Sequence, residues 1–115
     1  MARGGNQRPP LMSEFDWIAW LKNEAQRRLP ARTDVVHGIG DDAAVCEVPA
    51  GMQLAISTDT LVSGVHCPTD SAPADIGYKA LAVNLSDMAA MAAKPCWFSL
   101  ALSIPEMDWP WLTAF

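Results

Sequence analysis

The stretch Ala74-Asp75-Ile76-Gly77-Tyr78-Lys79-Ala80-Leu81-Ala82-Val83-Asn84-Leu85-Ser86-Asp87-Met88-Ala89-Ala90-Met91-Ala92-Ala93 is the longest apolar run of the chain. It is long enough for a membrane span, but Asp75, Lys79, Asn84 and Asp87 lie inside it and each is costly in lipid. The run therefore predicts a buried helix of a soluble protein. Pro73 falls near its first turn, where a missing N–H does no harm, and Lys94-Pro95 is the expected end. Asn84 and Asp87 are three residues apart and share one helical face. A carboxylate among Ala, Leu, Val and Met is expensive unless it is paired or holds a cation. Its partner is thus a neighbouring backbone group, Lys79 or a metal ion.

Upstream, Ser13 followed by Asp16 has the form of a helix N-cap with an acid in the first turn. Ile18, Leu21, Ala25 and Leu29 then recur at helical spacing, and Pro30 closes the helix. A loop around His37-Gly38-Ile39-Gly40-Asp41-Asp42 comes next. The runs 44–48 and 53–58 read as strands, joined by a short hairpin turn at Pro49-Ala50-Gly51-Met52. A second loop, Ser63 to Pro73, leads into the long helix. Downstream, Trp97 to Ile104 alternates as a strand does, and Asp108-Trp109-Pro110 opens another helix that is still in mid-pattern at Phe115.

The order of elements predicts an α/β (α+β) fold, a mixed β-sheet packed with helices, in residues 13–115 and incomplete at the carboxyl end. Trp97, Phe98, Trp109, Trp111 and Phe115 are expected at an exposed edge. Residues 1–12 are polar, with Gly4-Gly5 and Pro9-Pro10, and predict a disordered tail; Met12 is an alternative start.

Half of the 115 residues are hydrophobic, which is enough to bury a core, and the net charge of −5 argues against nucleic-acid binding. Cys46, Cys67 and Cys96 form no CxxC pair or zinc spacing and read as reduced thiols of a cytoplasmic protein. No secretory signal is present, because no apolar run stands behind Arg3 and Arg8.

Four segments could carry chemistry. Gly38-Ile39-Gly40-Asp41-Asp42-Ala43-Ala44 sets two adjacent carboxylates in a glycine-rich loop; without a cation or solvent they repel each other. It lacks the lysine of a Walker A loop and the full dinucleotide fingerprint. Ser57-Thr58-Asp59-Thr60, at a strand end, offers the hard oxygens that Mg²⁺ prefers. Asn84-Leu85-Ser86-Asp87 adds a third acidic site, and Gly64-Val65-His66 places an imidazole in a loop. Each alone also reads as an ordinary turn, strand end or solvated side chain. Together the three acidic segments point to clustered Mg²⁺ neutralising phosphate charge, as phosphoryl transfer requires. No Ser-His-Asp order or cysteine–histidine pattern competes.

These motifs, with Ser57-Thr58-Asp59-Thr60-Leu61-Val62 and Tyr78 to Met91 in this order and spacing, resemble thiamine-monophosphate kinases, of the aminoimidazole ribonucleotide synthetase-like superfamily. The resemblance runs from about Glu14 to the end. It implies the amino-terminal, ATP- and Mg²⁺-binding domain of a two-domain α/β enzyme that dimerises through this domain. The implied reaction is ATP-dependent phosphorylation of thiamine monophosphate to thiamine pyrophosphate. Asp42, Ser57, Thr58, Asp59 and Asp87 are then Mg²⁺ ligands, with Asp41 as a secondary candidate, and His66 contacts thiamine phosphate. No catalytic base is implied, because the attacking phosphate is already anionic. A further glycine-rich motif ending in aspartate is expected beyond Phe115. Ala92 stands where many relatives have Gly, a change expected to be tolerated at a helix end. The alternatives are a selenophosphate or aminoimidazole ribonucleotide synthetase-like enzyme, or a non-catalytic dimerisation or metal-binding fragment. Ser57 to Val62 with Gly64-Val65-His66 behind it favours the thiamine enzymes.

Overall fold

Ser13 begins the first helix by a reciprocal pair of bonds. Its hydroxyl accepts the Asp16 N–H at 3.2 Å, and its own N–H donates to Asp16 Oδ2 at 2.7 Å. This capping box satisfies two donors that a helix start leaves orphaned. The Ser13 N–H first, and then the Ser13 hydroxyl, which donates to Asp16 Oδ2 at 2.9 Å, hold the Asp16 carboxyl below its ordinary value. In the computed structural model, which describes residues 12–115, the expected tail falls largely outside the described residues. Helix α1 spans Glu14–Arg28 and ends at Leu29, whose extended backbone is what the adjoining Pro30 requires. The inward side carries Trp17, Ile18, Trp20, Leu21 and Ala25, while Leu29 at the end is exposed.

The chain divides into two compact units, one ending at Glu47 and the other running Val48–Phe115. The first holds α1 and an antiparallel pair of strands, β1 (Val35–His37) and β2 (Val45–Cys46), with an irregular register between Val35 and His37. Strand β2 is the run expected at 44–48, shortened. Its partner is not 53–58 but β1, a segment too short for its pattern to mark it as a strand. The turn at 49–52 does form, with Met52 N–H donating to the Pro49 carbonyl and Gly51 at a positive φ, yet it joins no hairpin. Residues 53–62 and 97–104 carry strand-like side-chain patterns but have no β-ladder. A strand is completed by a neighbour, and among the described residues these segments have none. Helices and a small antiparallel sheet make the fold mixed α/β.

In the second unit, α2 (Pro73–Ala90) is the expected long helix, with Pro73 in its first turn. It ends before Lys94-Pro95. Ala92 takes a left-handed φ of 51°, and the N–H groups of Ala92 and Ala93 turn back to the carbonyls of Ala89 and Met88. These two bonds form a Schellman stop, which usually places glycine at the left-handed position. The cost of Ala there is of the order of 1 kcal/mol, which explains why a glycine suits this place. Ala92→Gly is expected to raise stability by about that amount, read as a higher midpoint in urea unfolding; an unchanged or lower midpoint contradicts the geometry.

The expectation of a buried helix is corrected: no α2 residue is buried, and Tyr78 is 78% exposed. Among the described helices and strands, α3 (Trp109–Ala114) packs on it. Asp108 caps α3 by accepting the Trp111 N–H, and Leu112 is buried. Gly77 lies so close to the Phe115 carbonyl that a Cβ would overlap it, so the approach of α2 to the chain end depends on glycine. Trp111 stacks on Phe115 at 5.2 Å. Of the aromatics expected at an exposed edge, only Phe98 is exposed; Trp97, Trp109, Trp111 and Phe115 are half-buried.

Candidate metal and phosphate sites

The acidic pair of the first unit sits on the loop 38–44, which connects β1 to β2. Gly40 has φ 111°, and the Lys22 side chain from α1 lies against it. The two carboxylates differ in their surroundings. Asp41 accepts from the Asp42 N–H and from His37 Nε2, both at 2.8 Å. These bonds, the backbone one first, with the charges of His37 and Lys22, hold its carboxyl below the ordinary value. Asp42 is exposed and its carboxylate has no side-chain partner among the described residues. Asp41 is thus engaged within the protein, while Asp42 is open to a ligand.

In the second unit, two motifs separated by thirty residues meet. Ser57 Oγ donates to Asp87 Oδ2 at 3.1 Å. This bond, rather than one to Lys79, is what Asp87 makes. Asp87 is exposed rather than buried, so the desolvation argument for a cation beside it is weaker than the sequence implied. Ser57 and Asp87 line an open recess of about 440 Å³ with Ala55, Ile56, Met88, Ala90 and Met91. Asn84 shares the helix but turns its amide to the Ala80 carbonyl, leaving Oδ1 buried without a partner. Thr58 and Asp59 continue the Ser57 segment and are exposed. Among the described residues, no three carboxylate, histidine or cysteine groups gather as a metal-binding cluster. The donors that do occur in these motifs are hard oxygens, which suit Mg²⁺ by type.

His66 lies in a loop that closes on itself. The Gly64 N–H donates to the Cys67 carbonyl at 2.7 Å, and the Val65 and His66 N–H groups donate to the Val62 carbonyl. Gly64 has φ 81° at the turn. The Val62 N–H in turn donates to His66 Nδ1 at 2.9 Å. Lys79, on α2, donates to the His66 carbonyl. The sequence suggests Lys79 only as a partner for Asp87; its contact with a residue thirteen positions earlier leaves no trace in local spacing.

The family model of AIR synthase related protein, N-terminal domain, matches residues 40–115. The chain belongs to this family. Curated relatives are named thiamine-monophosphate kinase: that of Salmonella typhimurium is 61% identical over 85 residues, covering 74% of this chain and 26% of the relative. That of Escherichia coli K12 is 58% identical over the same length and with the same coverage. The Haemophilus influenzae protein is 46% identical over 104 residues, covering 90% of this chain and 31% of the relative. The chain thus spans about a quarter to a third of the length of these curated relatives. In this AIR synthase related chain, the matched region takes in Asp41, Asp42, the Ser57 segment, the His66 loop and Asp87.

Proposed function

We propose that this chain is the amino-terminal part of a thiamine-phosphate kinase that uses ATP to convert thiamine monophosphate to thiamine pyrophosphate. The observation that carries the reading is the 46–61% identity to proteins of that name. The meeting of Ser57 and Asp87 agrees with it, because it joins two of the motifs that the reaction needs.

In the reaction, an oxygen of the thiamine phosphate attacks the γ-phosphorus of ATP. The bond from that phosphorus to the β–γ bridging oxygen breaks, and ADP leaves with the electron pair. The nucleophile is already anionic, so the protein's tasks are positioning and charge neutralisation rather than proton removal. Mg²⁺, when bound, neutralises phosphate charge and orients the transferring group. Asp42, Ser57, Thr58, Asp59 and Asp87 are the residues of this chain that would hold it. Asp41 is the poorer donor, since His37 and the Asp42 N–H already occupy it. Ser57 and Asp87 support each other, so the hydroxyl oxygen and the carboxylate face a ligand as a pair.

The enzyme is proposed to act as a homodimer through this domain. The exposed Leu54, Ile56, Phe98 and Leu100 on strand-like segments support that. Among the described residues no helix is long and apolar enough to cross a membrane. The three free cysteines agree with a cytoplasmic setting.

The direct test is to assay a full-length protein carrying this chain for ATP-dependent formation of thiamine pyrophosphate and ADP. Absence of product with thiamine monophosphate, beside turnover of another acceptor, would sink the reading. A narrower test concerns His66. His66→Ala is expected to raise KM for thiamine monophosphate by about tenfold, the loss of roughly one hydrogen bond to a charged group. KM for ATP should stay nearly constant; a change confined to ATP would place His66 on the other substrate.

A further inference from the structure

We propose that Lys79 is a positioning residue for the phosphate-bearing acceptor: it holds the 62–67 loop in the form that leaves His66 with one protonated nitrogen, Nε2. The inference rests on the reading that His66 contacts that acceptor.

The argument begins with the tautomer. His66 Nδ1 takes the Val62 N–H, so in the neutral ring it is an acceptor and the proton sits on Nε2. A neutral imidazole fixed in this way has one donor to offer, suited to an anionic phosphate oxygen. The fixation depends on the backbone path of the loop. Val62 and His66 must stand one turn apart, with the Val62 carbonyl receiving the N–H groups of both Val65 and His66. Gly64 makes that path available with its left-handed φ, and Thr69 Cγ2 stands 3.3 Å from the place where a side chain would begin. Every one of these bonds lies within the loop. Lys79 ties the loop to regular structure, its ammonium reaching the His66 carbonyl from α2. A charged donor makes this a stronger tie than the neutral bonds around it. Releasing it frees the carbonyl of the residue whose ring orientation matters.

Full-length enzyme labelled with ¹⁵N-histidine provides the test, with the His66 ring signals assigned by their loss in His66→Ala. Lys79→Met is expected to convert the single Nε2–H signature of His66 to a mixture of tautomers. It should raise KM for thiamine monophosphate about tenfold, with kcat and KM for ATP changed less than about threefold. Lys79→Arg, which keeps a charged donor, should restore both readouts to within about threefold. If Lys79→Met leaves the tautomer and the acceptor KM unaltered, the proposal is overturned. A fall in kcat or a rise in the ATP KM with the tautomer intact also overturns it, because Lys79 would then touch the reacting groups itself. The parent reading fails separately, when His66→Ala leaves the acceptor KM unchanged; the tautomer spectrum still judges the Lys79 tie in that case.

Discussion

Asp87→Asn in the full-length protein, on the proposed kinase reading, should lower turnover by about 100-fold or more, the usual scale for losing one preorganised electrostatic group at a phosphoryl or acyl transfer site. The substitution preserves shape. The Asn carbonyl oxygen can still accept the Ser57 hydroxyl that Asp87 Oδ2 accepts now, and the side chain is exposed, so the fold has little to lose. The loss is that of a negative charge beside a hydroxyl oxygen, the feature by which this pair would hold Mg²⁺. Asp42→Asn is expected to act similarly, and for a simpler reason: its carboxylate has no side-chain partner among the described residues, so nothing in the fold leans on it. Each variant should need more Mg²⁺ for half-maximal rate, while its circular dichroism matches the parent. Near-parental turnover in both would remove the metal assignment.

Residues 1–115 alone should show no thiamine-phosphate kinase turnover and should self-associate. The chain spans 26–31% of the length of the curated relatives named above, and phosphoryl transfer needs nucleotide, metal and acceptor held in one geometry. Its described surface is also apolar in an unusual way. Ile56 is 79% exposed and Phe98 74%, both on segments that carry strand-like patterns but pair with no strand. Unpaired backbone beside exposed apolar side chains is a template for association between copies. Size-exclusion chromatography with a parallel product assay tests both halves of the expectation. A well-behaved monomer contradicts the surface argument, and robust turnover contradicts the division of catalytic groups.

Features set by local chemistry were legible in the sequence, and features that depend on distant partners were not. Ser13, Asp16 and Pro30 delimit α1 by chemistry that acts within four residues, and Pro73 does the same for the start of α2. The run 53–58 has the alternation of a strand, yet alternation reports only that a segment could pair. Conversely, β1 was missed although Val35-Val36 is a β-branched pair of the kind strands favour; its three residues are too few to stand out. The early stop of α2 at Ala90 was hidden because Ala92 adopts a conformation normally signalled by glycine. At the site, Ser57 and Asp87 could be named from motif chemistry, but their contact spans thirty residues. The link from Lys79 to His66 had no motif to announce it.

Helix α2 carries both Lys79, which touches the His66 loop, and Asp87, which touches Ser57. Eight residues of α-helix separate them, about 12 Å along the axis and about 80° around it. A loop between two such anchors could be lengthened without turning either end. A helix cannot, since every added residue rotates the remainder of the helix by about 100°. On the proposed reading, α2 is therefore a gauge. It sets, in distance and in angle together, how far the end of the acceptor near His66 stands from the oxygen pair at Ser57 and Asp87.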